Sequence, residues 1–277
     1  ILLLLMAGAL ASSQECGTHA AIDDVNPLAR LLDDLSDFSM QENRLIGGIE
    51  TAPHAWPWAV QLTYLGTHRC GGALIDPSFV VTAAHCFARS RLPERFTVFV
   101  EGHKSMTGKE HKVSNISVHP FFNVLWPSSY DVALVKISPP VTMGERAQPI
   151  CMPLLPPVNN KMCVVAGWGL MNENGTRSPI LREIHVPIVP LGVCNDFNHY
   201  GGRIHSLTMV CAGYSQGRVD SCQGDSGGPL MCERAGKWEL QGVVSWGIGC
   251  GRAGHPGVYA RILPALPFLR STMLLLK

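Results

Sequence analysis

Residues 218–232 read RVDSCQGDSGGPLMC, a stretch that crowds two aspartates, three glycines and two cysteines around Ser226. Glycine has no Cβ, so it lets a backbone turn tightly and approach a ligand closely. Asp225-Ser226-Gly227-Gly228 therefore reads as a tight turn presenting one hydroxyl. A serine hydroxyl is a weak nucleophile until an imidazole takes its proton and a carboxylate orients that imidazole. The stretch thus calls for a histidine and an aspartate elsewhere in the chain. VVTAAHC places His85 directly before Cys86, and SSYDVALVKI places Asp131 at the start of an apolar strand that would bury it. A single His or Asp is ordinarily a core or surface residue. Three such patterns in the order His, Asp, Ser make His85, Asp131 and Ser226 candidate catalytic residues.

Outward from these residues, FTVFVEG, DVALVKI, CVVAGWG, IHVPIV, LQGVVSWG and GVYARI are short β-rich runs punctuated by Gly, Pro and Asn. This is an all-β texture. The Pro-rich stretch QPICMPLLPPVNNK, residues 148–161, divides the β region into two halves of similar length. With 46% hydrophobic and 16% charged positions, 277 residues can bury a core, which excludes a mainly disordered chain. A formal net charge of +1 offers no basic excess for phosphate, so nucleic acid is not an expected partner. Ten cysteines fit a disulfide framework in an oxidising compartment. No CxxC repeat or nearby histidine pair marks a zinc module, and no metal is expected.

The opening ILLLLMAGALASSQECG has an apolar run ending in small residues at Ala9-Leu10-Ala11, as a signal peptide does, and is too short to span a bilayer. It lacks an initiator Met and a basic leading segment, so residues 1–11 are expected to be an incomplete signal. Residues 12–44 read as a separate acidic segment. Leu28, Leu31, Leu32, Leu35 and Phe38 recur at helical spacing after Asn26-Pro27, and a solvated linker fits the segment equally well.

From LIGG at 45 to GVYARI ending at 262, the chain resembles the chymotrypsin and trypsin family of serine endopeptidases. TAAHC and GDSGGP carry the resemblance; GWG at 167–169, SWG at 245–247 and DVAL support it. It implies two perpendicular six-stranded antiparallel β-barrels with the active site in the cleft between them, and a short closing helix. His85 and Asp131 would lie on the first barrel and Ser226 on the second. By the resemblance Ser226 attacks the scissile carbonyl, His85 acts as general base and then acid, and Asp131 fixes the imidazole tautomer. The N–H groups of Gly224 and Ser226 would form the oxyanion hole. Asp220 would floor a primary pocket lined by Ser221, Ser245, Trp246, Gly247 and Gly257, implying cleavage after Arg or Lys.

The resemblance also implies a zymogen, cut between Arg44 and Leu45 so that the new ammonium pairs with Asp225. Leu45 stands where the family usually has Ile or Val. The organisation expected is a pro-segment over 12–44 and a protease domain over 45–277. Implied disulfides are Cys70–Cys86, Cys163–Cys232, Cys194–Cys211 and Cys222–Cys250, with Cys16–Cys151 tethering the pro-segment. No cofactor is implied. Glu101 and Glu110 are the only carboxylates of a segment shorter than the calcium loop of some relatives, so no calcium is expected. Asn115 and Asn174 head glycosylation sequons. Pro264 and Pro267 stand where relatives form the closing helix, leaving either a late helix or an error at this end of the sequence. Expected partners are protein or peptide substrates, protein inhibitors, and an activating trypsin-like protease or a second copy of the chain itself. Secretion is expected. A catalytically dead homologue serving as a binding module is the competing class, and the complete triad argues against it.

Overall fold

Alternation of β-branched and aromatic residues with polar ones builds the sheets of the computed structural model, which describes residues 16–18 and 48–277. The signal-like run, the 26–38 helical pattern, Arg44 and Leu45 lie outside the described residues. In the first half β2 (Ala59–Tyr64), β3 (Thr67–Asp76), β4 (Phe79–Thr82), β5 (Phe96–Val100), β6 (Lys109–Val118) and β7 (Ala133–Ser138) close an antiparallel barrel in the order β2-β3-β4-β7-β6-β5. Strand β5 shows the period-two logic: Phe96, Val98 and Val100 are buried while Thr97 and Phe99 lie half-buried between them.

The second barrel runs β9-β10-β13-β12-β11-β8 and closes through the β8–β9 pair. Its strands are β8 (Met162–Gly167), β9 (Arg182–Val189), β10 (Met209–Ala212), β11 (Pro229–Arg234), β12 (Lys237–Trp246) and β13 (Gly257–Arg261). Strand β1 (Ile49–Glu50) adds to the outside of β9. Val165, Ile184, Val186, Ile188, Val244 and Tyr259 fill this barrel. The larger core starts on Trp58, Phe79 and Phe96 and continues through Met231 and Val243 to Leu266 and Leu269 of the closing helix, so the two halves share packed side chains.

That helix, α2 (Leu266–Leu276), follows a 3-10 turn over Leu263–Ala265; a single-turn helix α1 (Leu191–Cys194) precedes it in the chain. Of the two C-terminal outcomes open from sequence, the structure has the late helix. Pro264 and Pro267 each fall in the first two positions of their element, where a missing N–H has no intrahelical partner to lose. No described helix is long and apolar enough to cross a membrane.

Five disulfides join Cys16–Cys151, Cys70–Cys86, Cys163–Cys232, Cys194–Cys211 and Cys222–Cys250. The first seats a short fragment of the N-terminal segment on the interbarrel linker. Gly17 N–H donates to Pro149 O at 2.9 Å, and Trp238 N–H donates to Gly17 O at 3.0 Å. Gly17 has φ +68°, and a Cβ there would lie 2.4 Å from Trp238 O, so only glycine fits this seat.

Candidate active site

His85 sits in a 3-10 turn, Ala84–Phe87, that follows β4 directly, and the Cys70–Cys86 bond ties the next residue to β3. Asp131 immediately precedes β7 and is 1% exposed. A carboxylate buried that deeply needs several donors, and it has three. His85 N–H donates to Oδ1 at 2.9 Å, His85 Nδ1 to Oδ2 at 2.7 Å, and Ser245 Oγ to Oδ2 at 2.5 Å. Donation from Nδ1 leaves His85 Nε2 as the ring's acceptor, the tautomer a general base requires. Ser245 reaches across because the β12–β13 register slips between Val244 and Trp246; a bulge of this kind re-aims a side chain.

Ser226 is held by its backbone between the two barrels. Its carbonyl accepts from Gly71 N at 2.9 Å, and Cys86 Sγ lies 3.9 Å from the same oxygen, next to His85. Gly227, at φ +78°, donates to Val244 O, and a Cβ on it would stand 2.1 Å from Thr82 Oγ1. Gly224 lies two residues before Ser226 at φ +99°. His68 Nε2 lies 2.8 Å from Gly224 O, and Gln61 Nε2 lies 3.0 Å from His68 Nδ1, so the amide sets the ring to donate to the Gly224 carbonyl. Burial, opposed by that hydrogen bond, holds His68 below the usual imidazole range and keeps it neutral. Neither Gly224 N–H nor Ser226 N–H donates to any described backbone acceptor. The turn thus presents two amide donors beside one hydroxyl.

Asp220 and Asp225 are each buried on backbone donors. Asp220 accepts from Ser221 N at 2.8 Å and Gly251 N at 3.0 Å, and burial pushes its carboxyl up to about 7. A Cβ on Gly257 would lie 2.7 Å from Asp220 Oδ1, whereas one on exposed Gly247 would meet nothing closer than Gly249 O at 3.6 Å. Any side chain at 257 would thus press on the Asp220 carboxylate, and one at 247 would not. Trp246 is half-buried with its ring edge-on to Tyr200 at 5.0 Å, and the Cys222–Cys250 bond joins the segments that carry Asp220 and Gly251.

Asp225 is 2% exposed and accepts from Gly169 N at 2.7 Å and Cys222 N at 3.0 Å. Burial pushes it up to about 6. A small cavity lined by Val165, Gly167, Arg182, Ile184 and Ser221 opens beside it.

Three groups that act on the site carry no signal in a linear reading: Ser245 as a donor to Asp131, and His68 with Gln61 as the brace of Gly224. Their partners lie 114 and 156 residues away for Ser245 and His68, and only the fold brings them together. Cys70, His85 and Cys86 form the one described cluster with metal-ligand atom types, but the two sulfurs are bonded to each other. Glu101 pairs with Lys109 at 2.8 Å, and Glu110 is exposed on β6. Asn174 is exposed, whereas Asn115 is half-buried on β6 with its side chain held by Ser117.

A base oriented by a carboxylate, with a hydroxyl on a rigid turn, supplies the residue types that acyl transfer uses. The family model described as Trypsin matches residues 45–269. The match spans both barrels and the turn that carries Ser226, and the chain belongs to the trypsin family of serine endopeptidases.

Proposed function

We propose that this chain is a secreted zymogen which, once cut between Arg44 and Leu45, hydrolyses peptide bonds that follow Arg or Lys. Ser226 Oγ attacks the scissile carbonyl while His85 Nε2 takes its proton. The oxyanion that forms accepts hydrogen bonds from Gly224 and Ser226 N–H, each such donor contributing about 2.7–4 kcal/mol of transition-state stabilisation. His85 then delivers the proton to the leaving amine, and the acyl group stays on Ser226. A water that gives its proton to His85 attacks the ester, and Ser226 recovers its proton as the acid leaves. Asp131 holds the imidazole throughout, with Ser245 and the His85 backbone sharing its charge.

The observation that carries the specificity is Asp220, buried without a described cation and with glycine at 257, where a Cβ would lie 2.7 Å from its Oδ1. A cation satisfies such a carboxylate, and a guanidinium does so with two parallel hydrogen bonds. Activation is supported in the same way. Asp225 lies beside a cavity lined in part by Arg182, whose guanidinium donates to Gly48 O. Leu45 stands three positions before Gly48, a reach of about 10 Å when extended. That reach supports an ammonium at Leu45 arriving beside Asp225 and neutralising it. Ten cysteines in disulfides and the signal-like opening support export.

The test is labelling of Ser226 by a serine-directed organophosphonate before and after limited trypsin treatment. Label appearing only after a cut at Arg44 is expected, and an Arg44→Gln variant stays inert. No label on folded, cut protein sinks the enzyme reading, and full label on uncut protein sinks the zymogen.

A further inference from the structure

Three arginines gather near His85 and Gly224. Arg69, on β3, donates its Nε–H to Cys86 O at 3.3 Å, beside His85. Arg177 places its Nε 3.3 Å from the point where a Cβ on Gly224 would lie. Arg89 follows His85 by four residues; it and Arg177 are exposed, and Arg69 is half-buried. The three are close enough to act on one another, since burial and then the charges of Arg89 and Arg177 hold the Arg69 guanidinium below its usual range. No described ion pair reaches any of them: the carboxylates bound by Lys or Arg are Glu101, Glu239 and Glu173, each with another partner. Clustered like charges repel, and no described ion pair offsets this repulsion.

The reaction sets what passes over this surface. His85 must protonate the leaving amine, so the substrate segment after the scissile bond exits on the His85 side of Ser226, toward Cys86 and Gly224. Asp220 lies at the other end of the 220–226 turn, with Gly251 and Gly257. We propose that Arg69, Arg89 and Arg177 select substrates carrying Asp or Glu among the first residues after the scissile bond. This rests on the endopeptidase reading above and adds a second charge filter, of opposite sign to the first. The chain's own activation bond fails that filter. Leu45, Ile46, Gly47, Gly48 and Ile49 follow Arg44 before the first acid, Glu50. A different protease is therefore a better activator than a second copy of this chain.

The experiment uses the activated enzyme and internally quenched peptides with Arg before the scissile bond and Ala, Lys, Asp or Glu at the two positions after it. Each acid is expected to raise kcat/KM about two- to fivefold over Ala, and Lys to lower it. At ~1 M salt, where screening acts within about 3 Å, the difference should shrink toward unity. The acid-to-alanine ratio, taken within each protein so that overall activity cancels, should fall in Arg69→Gln, Arg89→Gln and Arg177→Gln and invert in the double variant Arg89→Glu/Arg177→Glu. Equal turnover of Asp, Ala and Lys peptides by the unaltered enzyme overturns the proposal, as does a ratio that no variant moves. An Arg anilide with no residue after the scissile bond separates the two readings. Turnover there with a flat leaving-side profile sinks this proposal alone; no turnover sinks the endopeptidase reading as well.

Discussion

Asp131 and Asp220 are both buried aspartates, and the protein furnishes them in opposite ways. Asp131 has an imidazole, a hydroxyl and a backbone N–H on its oxygens. Asp220 has two backbone N–H groups and the Ser221 side chain and, among the described residues, no cation. Burial pushes Asp220 up to about 7. The difference separates two uses of a buried charge. One is finished when the protein folds and positions a neighbour; the other, on the function proposed above, waits for a ligand to complete it.

The harshest test of this contrast is Asp131→Asn, which keeps the shape and removes the charge and the tautomer control. We expect kcat to fall by about 10⁴ with the thermal transition little changed. A drop below tenfold would mean that Asp131 is no more than a structural acceptor. Asp220→Ser should instead spare the chemistry and lose about 2–5 kcal/mol of transition-state stabilisation for Arg substrates alone. It is read as kcat/KM on peptides differing only before the scissile bond. An unchanged Arg-to-Phe ratio would remove Asp220 from the pocket. Ser245→Ala probes the third donor on Asp131 and should cost about 1.5–3 kcal/mol in kcat/KM, the range for a hydrogen bond to a charged group. An unaltered rate would reduce Ser245 to a pocket wall.

The mildest effect is on pH. A benzamidinium ion binds the ionised form of Asp220, and with that carboxyl near 7 its affinity should rise about tenfold between pH 6 and 8. Calorimetry in buffers of different ionisation heat should show proton release near neutrality. For stability the sign is set by a folded value above the ordinary 3.8. Between about 4 and about 7 the folded state holds the extra proton, so this group's contribution in the unliganded protein falls as pH rises through that window. A pH-independent affinity would show Asp220 to be already neutralised.

Much of this arrangement was legible in the chain. Runs rich in Val, Ile and Phe became β5, β7, β8, β9, β12 and β13 close to where the alternation put them. Motif residues met because their local sequences encode the turns that carry them. Strand β3, THRCGGALID, was harder: its Gly71-Gly72 pair looks like a turn, yet both lie inside a ten-residue strand. The reason is tertiary, since a Cβ on Gly72 would meet Val80 Cγ1 at 2.8 Å and one on Gly71 would meet Gly228 Cα at 3.0 Å. Strand β6, KEHKVSNISV, hides its period behind exposed Lys and Glu. The arginines beside Gly224 are scattered over 109 positions of sequence, and no local pattern gathers Arg69, Arg89 and Arg177.

The Cys16–Gly17 seat bears on what proteolysis leaves joined. If the chain is severed after Arg44, the piece before the cut stays covalently moored to the linker at Cys151, with Gly17 stitched between Pro149 and Trp238. The segment before the cut would then travel with the enzyme instead of diffusing away, and the product would be a two-chain molecule. A reducing agent would part the two chains.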